Sequence, residues 1–541
     1  MATQTAVELD VLDYPAHLSS ISTSVLQNSL GRSLDDSDPS VSSPPRSTTD
    51  VEAACLNINK SRACLIIIQL SGINFVSSFS NGLLSIGLPT ITKAINIPPN
   101  LLLWPTSVFY LTMGSSLLIA GSVADVIGPR KVYLTGTLLT AAMILASGFA
   151  KDAITFIMLR AVQGIANAMV VPTAVSIIAS NVEEGTVRNI GFASIFLSET
   201  LGFAIGMVLG GVLVSGPGYE VGYYAGGATG LLLFIVGIWG LPKDSELASF
   251  KSASRRLATE IDWVGAGIAS ASIAILSYVL VMLSADTAHI TTPSNIALLT
   301  LSLLLLPVFA IWMHFQMKRG KPALIPNNLW TNLPFTSVCL MILLCDAVLN
   351  CMELFGSLFF QEVQLLSALQ AAIRILPQVV VGATLSLLAG ALVNKMPVMT
   401  SIMVSSILAA GSPLLMAVID PSWNYWIMAF WAQLLAPLSV GLLFAVGTLV
   451  VSEALPRKTQ ALAGAVFNTF ARVGSSVGLC LTSVISMSVT QRSSYQHKES
   501  PEALMSGYRA IFWALFAWMI VACIIGAFGL RKLGKVGVKR D

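Results

Sequence analysis

Six charged side chains interrupt stretches that are otherwise almost wholly apolar: Arg160, Glu199, Asp346, Glu353, Arg374 and Arg472. At the centre of a membrane helix each would cost about 2.5–3.5 kcal/mol or more, so each needs an opposite charge or a water-filled cavity. Three acids and three bases could pair off. At roughly 1.5 Å of rise per residue, Arg160 lies at the depth of Glu199, and Glu353 at that of Arg374. Arg472 falls near mid-membrane. Asp346 and Glu353 stand seven residues apart, on one helix face. Each matched pair is either a permanent salt bridge between two helices or a contact that breaks. Arginine stays protonated, so only a carboxyl can carry a proton. A buried carboxyl whose cation is absent is neutralised by binding one. Asp346 has the least obvious partner and is the first candidate for proton coupling, with Glu199 next.

The surrounding chain requires a membrane. Hydrophobic residues make up 55% of the 541 residues and charged ones 11%, and the mean hydropathy is +0.78. A soluble fold could not hide that much apolar surface. The net charge of +3 is too small to suggest a nucleic-acid partner. Of the seven cysteines (Cys55, Cys64, Cys339, Cys345, Cys351, Cys480 and Cys523), none forms a CxxC pair and most sit in apolar stretches. They read as small hydrophobes, with no disulfide framework or metal site. His17, His289, His314 and His497 are scattered, and neither HExxH nor GxSxG occurs, which speaks against an enzyme. No cleavable signal peptide is expected.

A bilayer span needs roughly 20 apolar residues. About fourteen such stretches occur, centred near Phe75, Tyr110, Leu139, Asn167, Phe203, Leu232, Ile273, Leu303, Cys345, Val381, Leu408, Leu435, Val477 and Met519. The pair near Ile273 and Leu303 is long and nearly free of charge, which favours fourteen over twelve. Residues 1–60 are rich in Ser, Thr, Asp and Pro without periodicity, and are expected to be a disordered cytoplasmic tail. With the amino terminus inside, eighteen basic residues fall on the cytoplasmic side. Five fall outside: Lys93, Lys151, Arg492, Lys498 and Arg509. That asymmetry is the one expected of positive-inside topology, with both termini cytoplasmic. Trp263, Trp330, Trp423 and Trp426 fall near span ends and read as an interfacial belt, while Phe467 and Phe470 read as core.

Between the second and third stretches runs GSVADVIGPRK, with Gly121, Asp125, Gly128, Arg130 and Lys131. Glycines there let backbones approach. Asp125 could pair with a cation or sit at a helix N-terminus, and Arg130 and Lys131 would hold the turn in the cytoplasm. FIMLRAVQGIANA carries Arg160, Gln163 and Gly164. ETLGFAIGMVLGG places Gly202, Gly206 and Gly210 on one helix face, where another helix can pack closely. NGLLSIGLP ends the first stretch. These four runs resemble signature motifs of the major facilitator superfamily. The chain departs from them in having Ile127 and Pro129 at two places of the loop motif, Met207 for a proline, and Ser80 for an aspartate nine residues before Pro89. The fourteen stretches and the Ser-rich tail resemble the fungal members of the fourteen-helix drug:proton antiporter branch.

That resemblance implies an all-α polytopic membrane protein with the major facilitator fold. Two six-helix bundles, 61–242 and 326–530, would flank two linker helices with cytoplasmic loops over 243–325, and 531–541 would form a basic cytoplasmic tail. It implies proton-coupled efflux of a small lipophilic drug, toxin or secondary metabolite, by bundles that rock around a central site. An apolar cavity with aromatic walls would suit such molecules. No cofactor is expected beyond a proton gradient. The expected partners are membrane lipid, the substrate and protons, for a monomer in the plasma or vacuolar membrane. Asp125 and Arg130 would gate the conformational change. Uptake of a nutrient or siderophore is the alternative, and a membrane enzyme or receptor the more distant one. The charge asymmetry predicts that tags at both ends react only after permeabilisation; labelling of either in intact cells would contradict the topology.

Overall fold

Inside hydrocarbon a backbone must satisfy its own hydrogen bonds, so long apolar runs become helices. The computed structural model describes residues 60–98, 101–182, 186–242, 261–285, 292–321, 324–325, 327–395, 397–444, 447 and 457–531. All but Lys60 of the expected 1–60 tail, all but Arg531 of the expected 531–541 tail, and the loop at 243–260 lie outside them. In chain order the first bundle holds α1 (Lys60–Ala94), α2 (Trp104–Ile127), α3 (Pro129–Ser147), α4 (Ala153–Asn181), α5 (Thr186–Ser215) and α6 (Tyr219–Gly240). Next come α7 (Trp263–Ala285) and α8 (Pro293–Lys318). The second bundle holds α9 (Leu333–Leu358), α10 (Ala368–Lys395), α11 (Val398–Val418), α12 (Ala429–Leu435), α13 (Arg457–Arg492) and α14 (Pro501–Gly529).

Each of the fourteen apolar centres lies in one of these helices. Twelve of the described helices are long and apolar enough to cross a membrane. The other two are α3 and α12. Arg130 and Lys131 open α3 and three threonines follow, which lowers its hydropathy. The apolar segment of α12 runs over Ala429–Phe444 and is broken near Pro437, which lacks the N–H that an unbroken helix needs. Asp152 starts α4 by accepting the Thr155 N–H at 2.9 Å, and that bond holds its carboxyl below the usual carboxylate range.

The two bundles repeat one packing scheme. In the first, α1 packs on α5, α2 on α4 and α3 on α6; in the second, α9 packs on α13, α10 on α12 and α11 on α14. Across the interface α2 meets α13 and α5 meets α10, the same contact with the bundles exchanged. The pair α7–α8 docks through α7 onto α2 and α13. Two of the belt tryptophans, Trp426 and Trp263, are 64% and 46% exposed. Trp330 differs. Its ring lies 5.4 Å from Phe470 and 5.9 Å from Phe335, so it joins the core. Phe467 is buried, as expected.

Glycines set how closely the helices meet. A Cβ at Gly202 or Gly206 would strike the Phe75 or Phe79 carbonyl oxygen of α1, and one at Gly210 would come 3.2 Å from the Leu83 Cα. Gly82 of α1 faces the Phe203 carbonyl of α5 in return. Gly164 touches the Phe109 carbonyl of α2, and Gly474 of α13 the Leu343 carbonyl of α9. The expectation of close approach is not met at Gly121, where a Cβ would meet nothing within 4 Å among the described residues. Gly128 is required for another reason: its φ of 109° joins α2 to α3. Gly206→Ala should therefore lower the stability of the folded bundle by about 1–3 kcal/mol. Gly121→Ala should leave it unchanged or slightly raised. Thermal unfolding of the detergent-purified variants checks this, and equal tolerance would exclude the backbone contact.

Candidate functional site

Between the bundles lies a cavity of about 230 Å³, reached by α1, α2, α4 and α5 from one side and by α9, α10, α12 and α13 from the other. Its apolar wall includes Phe109, Tyr110, Met113, Phe196, Phe203 and Phe444. Its polar wall includes Asn74, Asn81, Asn167, Asn350 and Gln378. Four charged side chains also line it: Glu199, Asp346, Glu353 and Arg472.

The charges do not pair as depth alone suggests. Arg472 of α13 donates to Glu199 of α5 at 2.8 Å, the one salt bridge resolved among the described residues. It ties the two bundles together, and the Glu199 side chain remains 41% exposed to the cavity. Asp346, 3% exposed, accepts the Ser475 hydroxyl at 2.5 Å and also lies in the field of Arg472. Asn350 braces this contact by donating to Ser475 at 3.1 Å and to the Asp346 carbonyl at 2.9 Å. Glu353 accepts one hydrogen bond, from Gln378 at 3.1 Å. Asp346 and Glu199, both of its own sign, act on Glu353, and Arg160 lines a second small hollow with it. Neither Asp346 nor Glu353 has a cation among the hydrogen-bond partners described. Three acids face the cavity with one arginine.

Arg160 does not reach Glu199. It lies 1% exposed among α1, α2 and α4. It donates to Gln163 at 2.7 Å, Asn81 at 2.5 Å, Ser80 at 3.4 Å and the Pro105 carbonyl at 3.3 Å, and it stacks 4.6 Å from the Phe109 ring centre. Arg374 does not reach Glu353 either. It donates to Gln364 at 2.6 Å and sits against Phe360 and Tyr425. Arg374 turns toward Gln364, Phe360 and Tyr425 of its own bundle, whereas Arg160 lines, with Asn81, Asn350 and Glu353, a second small hollow between the bundles.

In the α2–α3 turn, Asp125 is exposed in the last turn of α2, three residues before Gly128, which caps the start of α3. Arg130 donates to the Ile238 carbonyl at the end of α6 at 2.6 Å. Lys131 is exposed on α3. Tyr110, Asn350, Gln378 and Ser475 were missing from the sequence-level site. Asn350 and Gln378 carried a readable signal, as amides in spans that already hold a charge.

The Major Facilitator Superfamily pattern matches residues 70–479. An "MFS-type transporter 1" of Pyricularia oryzae is 37% identical, covering 89% of this chain and 85% of its own. A "Low affinity ammonium transporter" of Saccharomyces cerevisiae is 24% identical over 71% and 73% of the two chains. "Efflux pump terJ" of Aspergillus terreus is 22% identical over 79% and 80%. Among solved structures, a bacterial homologue of the human lysosomal transporter Spinster, inward-facing and unoccupied, superposes with a TM-score of 0.60 at 14% identity, covering 88% and 98%.

The geometry predicts how the interbundle pair responds to substitution. Arg472→Met leaves Glu199 without its cation and should destabilise the protein by about 1–3 kcal/mol. Adding Glu199→Gln should recover part of that loss. Melting temperatures of the three proteins check it; a double variant no better than the single would mean that the pair contributes nothing.

Proposed function

Because the chain belongs to the major facilitator superfamily, we propose that it is a secondary active exporter exchanging protons for a small lipophilic organic molecule. The observation that supports this most is the charge imbalance of the cavity, where three carboxyls face one arginine beside aromatic walls. Buried carboxylates without cations are unfavourable. Binding protons relieves the imbalance, and releasing them restores it. Glu353 and Asp346, on one face of α9, are the coupling pair. Glu199 reports their state across the interface, since Arg472 feels both Glu199 and Asp346. With the acids protonated, Arg472 loses attraction to the first bundle and the bundles rock apart. Asp125 and Arg130 steady the opposite state at the α2–α3 turn. Phe109, Phe196, Phe203 and Phe444 present the surface on which an apolar substrate binds.

In this reading the protein is a monomer of the fourteen-helix drug:proton antiporter branch, fungal in type, in the plasma or vacuolar membrane. Both termini are cytoplasmic, and no cofactor acts besides the proton gradient. The efflux pump among the relatives favours export. The relative named an ammonium transporter favours the second reading, uptake. A deletion strain tested against a panel of lipophilic toxins separates them: export predicts hypersensitivity, uptake predicts resistance.

Once a substrate is found, proteoliposomes with an imposed pH gradient test the coupling. Glu353→Gln keeps the bond to Gln378 and should fold. It and Asp346→Asn should each abolish uphill transport while retaining downhill exchange. A Glu353→Gln protein that still concentrates substrate would place coupling at another carboxyl.

A further inference from the structure

On the side of the α1–α2 connection the cavity is closed, and a proline in α1 prepares the closure. Pro89 lies inside α1 and has no N–H, so the Ser85 carbonyl, four residues earlier, is deprived of its helical donor. That carbonyl instead accepts the Ser357 hydroxyl of α9 at 3.2 Å. One residue on, the Ile86 carbonyl accepts the Gln361 amide at 3.1 Å, and the same amide donates to Ser357 at 2.9 Å. The donors belong to the second bundle and the acceptors to the first. Ser357 is fully buried.

Gln361 sits in a π-helical turn, Phe359–Val363, that continues α9 and holds one residue more per turn than an α-helix. The turn is anchored in its own bundle by Tyr508 of α14, which donates to Glu362 at 2.6 Å. Lys93, in the last turn of α1, lies within electrostatic reach of Glu362 from the other bundle. Nearby, a Cβ at Gly211 of α5 would come 2.8 Å from the Leu369 Cα of α10, so the bundles touch there through backbone as well.

We propose that Ser357 and Gln361 form a latch on the carbonyls of Ser85 and Ile86, and that Pro89 creates it by freeing the Ser85 carbonyl. The latch holds the α1–α2 side shut while the cavity extends toward Ala193 and Ser386 on the other side. It can release without rearranging either bundle, because the acceptors are backbone atoms and one donor, Gln361, sits on a turn that can rewind.

The test is the distance between nitroxide labels at Ala94 and Leu365, both exposed on this side. The full chain is reconstituted in proteoliposomes with Cys55 and Cys64 replaced by serine. Pulsed electron resonance then gives the ratio of short to long distances. Ser357→Ala with Gln361→Ala removes two cross-bundle bonds and should shift that ratio toward long distances about tenfold. Ser357→Thr keeps the hydroxyl and should leave the ratio unchanged. Pro89→Ala supplies Ser85 with a helical donor that competes with Ser357 for its carbonyl, so it should shift the ratio in the same direction by a smaller amount, and add nothing in the double-alanine background, where the contested bond is already gone. An unchanged ratio in the double variant would overturn the latch. A Pro89→Ala shift that is absent, or that adds in full to the double variant, would overturn the role of the proline.

Discussion

A carboxylate in a membrane interior must find a cation, a proton or water, and the centre of this molecule is arranged around that demand. Arg472 can serve Glu199 and lie in the field of Asp346, but it leaves Glu353 with like charges and a single amide. The cavity is a place where such groups can stay hydrated, and the bundles meet around it. The same groups that make the cavity unstable when ionised are the ones through which the proposed response to proton supply would act.

The rest of the fold makes that response transmissible. Within each bundle, helices are locked by glycine against backbone: Gly202 and Gly206 on α1, Gly474 on α9. Such contacts leave no slack, so a change at α5 or α9 moves a whole bundle. Between the bundles backbone also meets backbone at Gly211 and Leu369, and polar contacts are added to it: among the described residues, the Arg472–Glu199 salt bridge and the hydrogen bonds of Ser357 and Gln361, beside the paired meetings of α2 with α13 and α5 with α10. Rigid bodies joined by a few polar contacts are what alternating access requires.

Much of this was legible in the chain, for physical reasons that differ by residue. Apolar length predicted every helix, and the four-residue spacing of Gly202, Gly206 and Gly210 predicted a close helix contact, because period and length are local properties. The cost of charge in hydrocarbon picked out Glu199, Asp346, Glu353 and Arg472 as cavity residues. Pairing was not legible. Counting residues sets Arg160 level with Glu199, but Arg160 turns toward Asn81 and Gln163, and rotation about a helix axis depends on neighbours far away in sequence. Trp330 looked interfacial from its place near a span end, whereas the short 3₁₀ turn at Asn327–Thr331 carries it inward. Ser357 and Gln361 drew no attention because uncharged polar residues in a span are common and their acceptors are backbone atoms.

The central claim is that the helix 9 carboxyls bind and release protons inside the cavity. Infrared difference spectroscopy of the protein in lipid, between acidic and alkaline buffer, tests it without a substrate. The account predicts a carbonyl band of a protonated carboxylic acid that disappears as pH rises, weakened in Glu353→Gln and again in Asp346→Asn. A spectrum with no such band, or one unchanged in both variants, would contradict it.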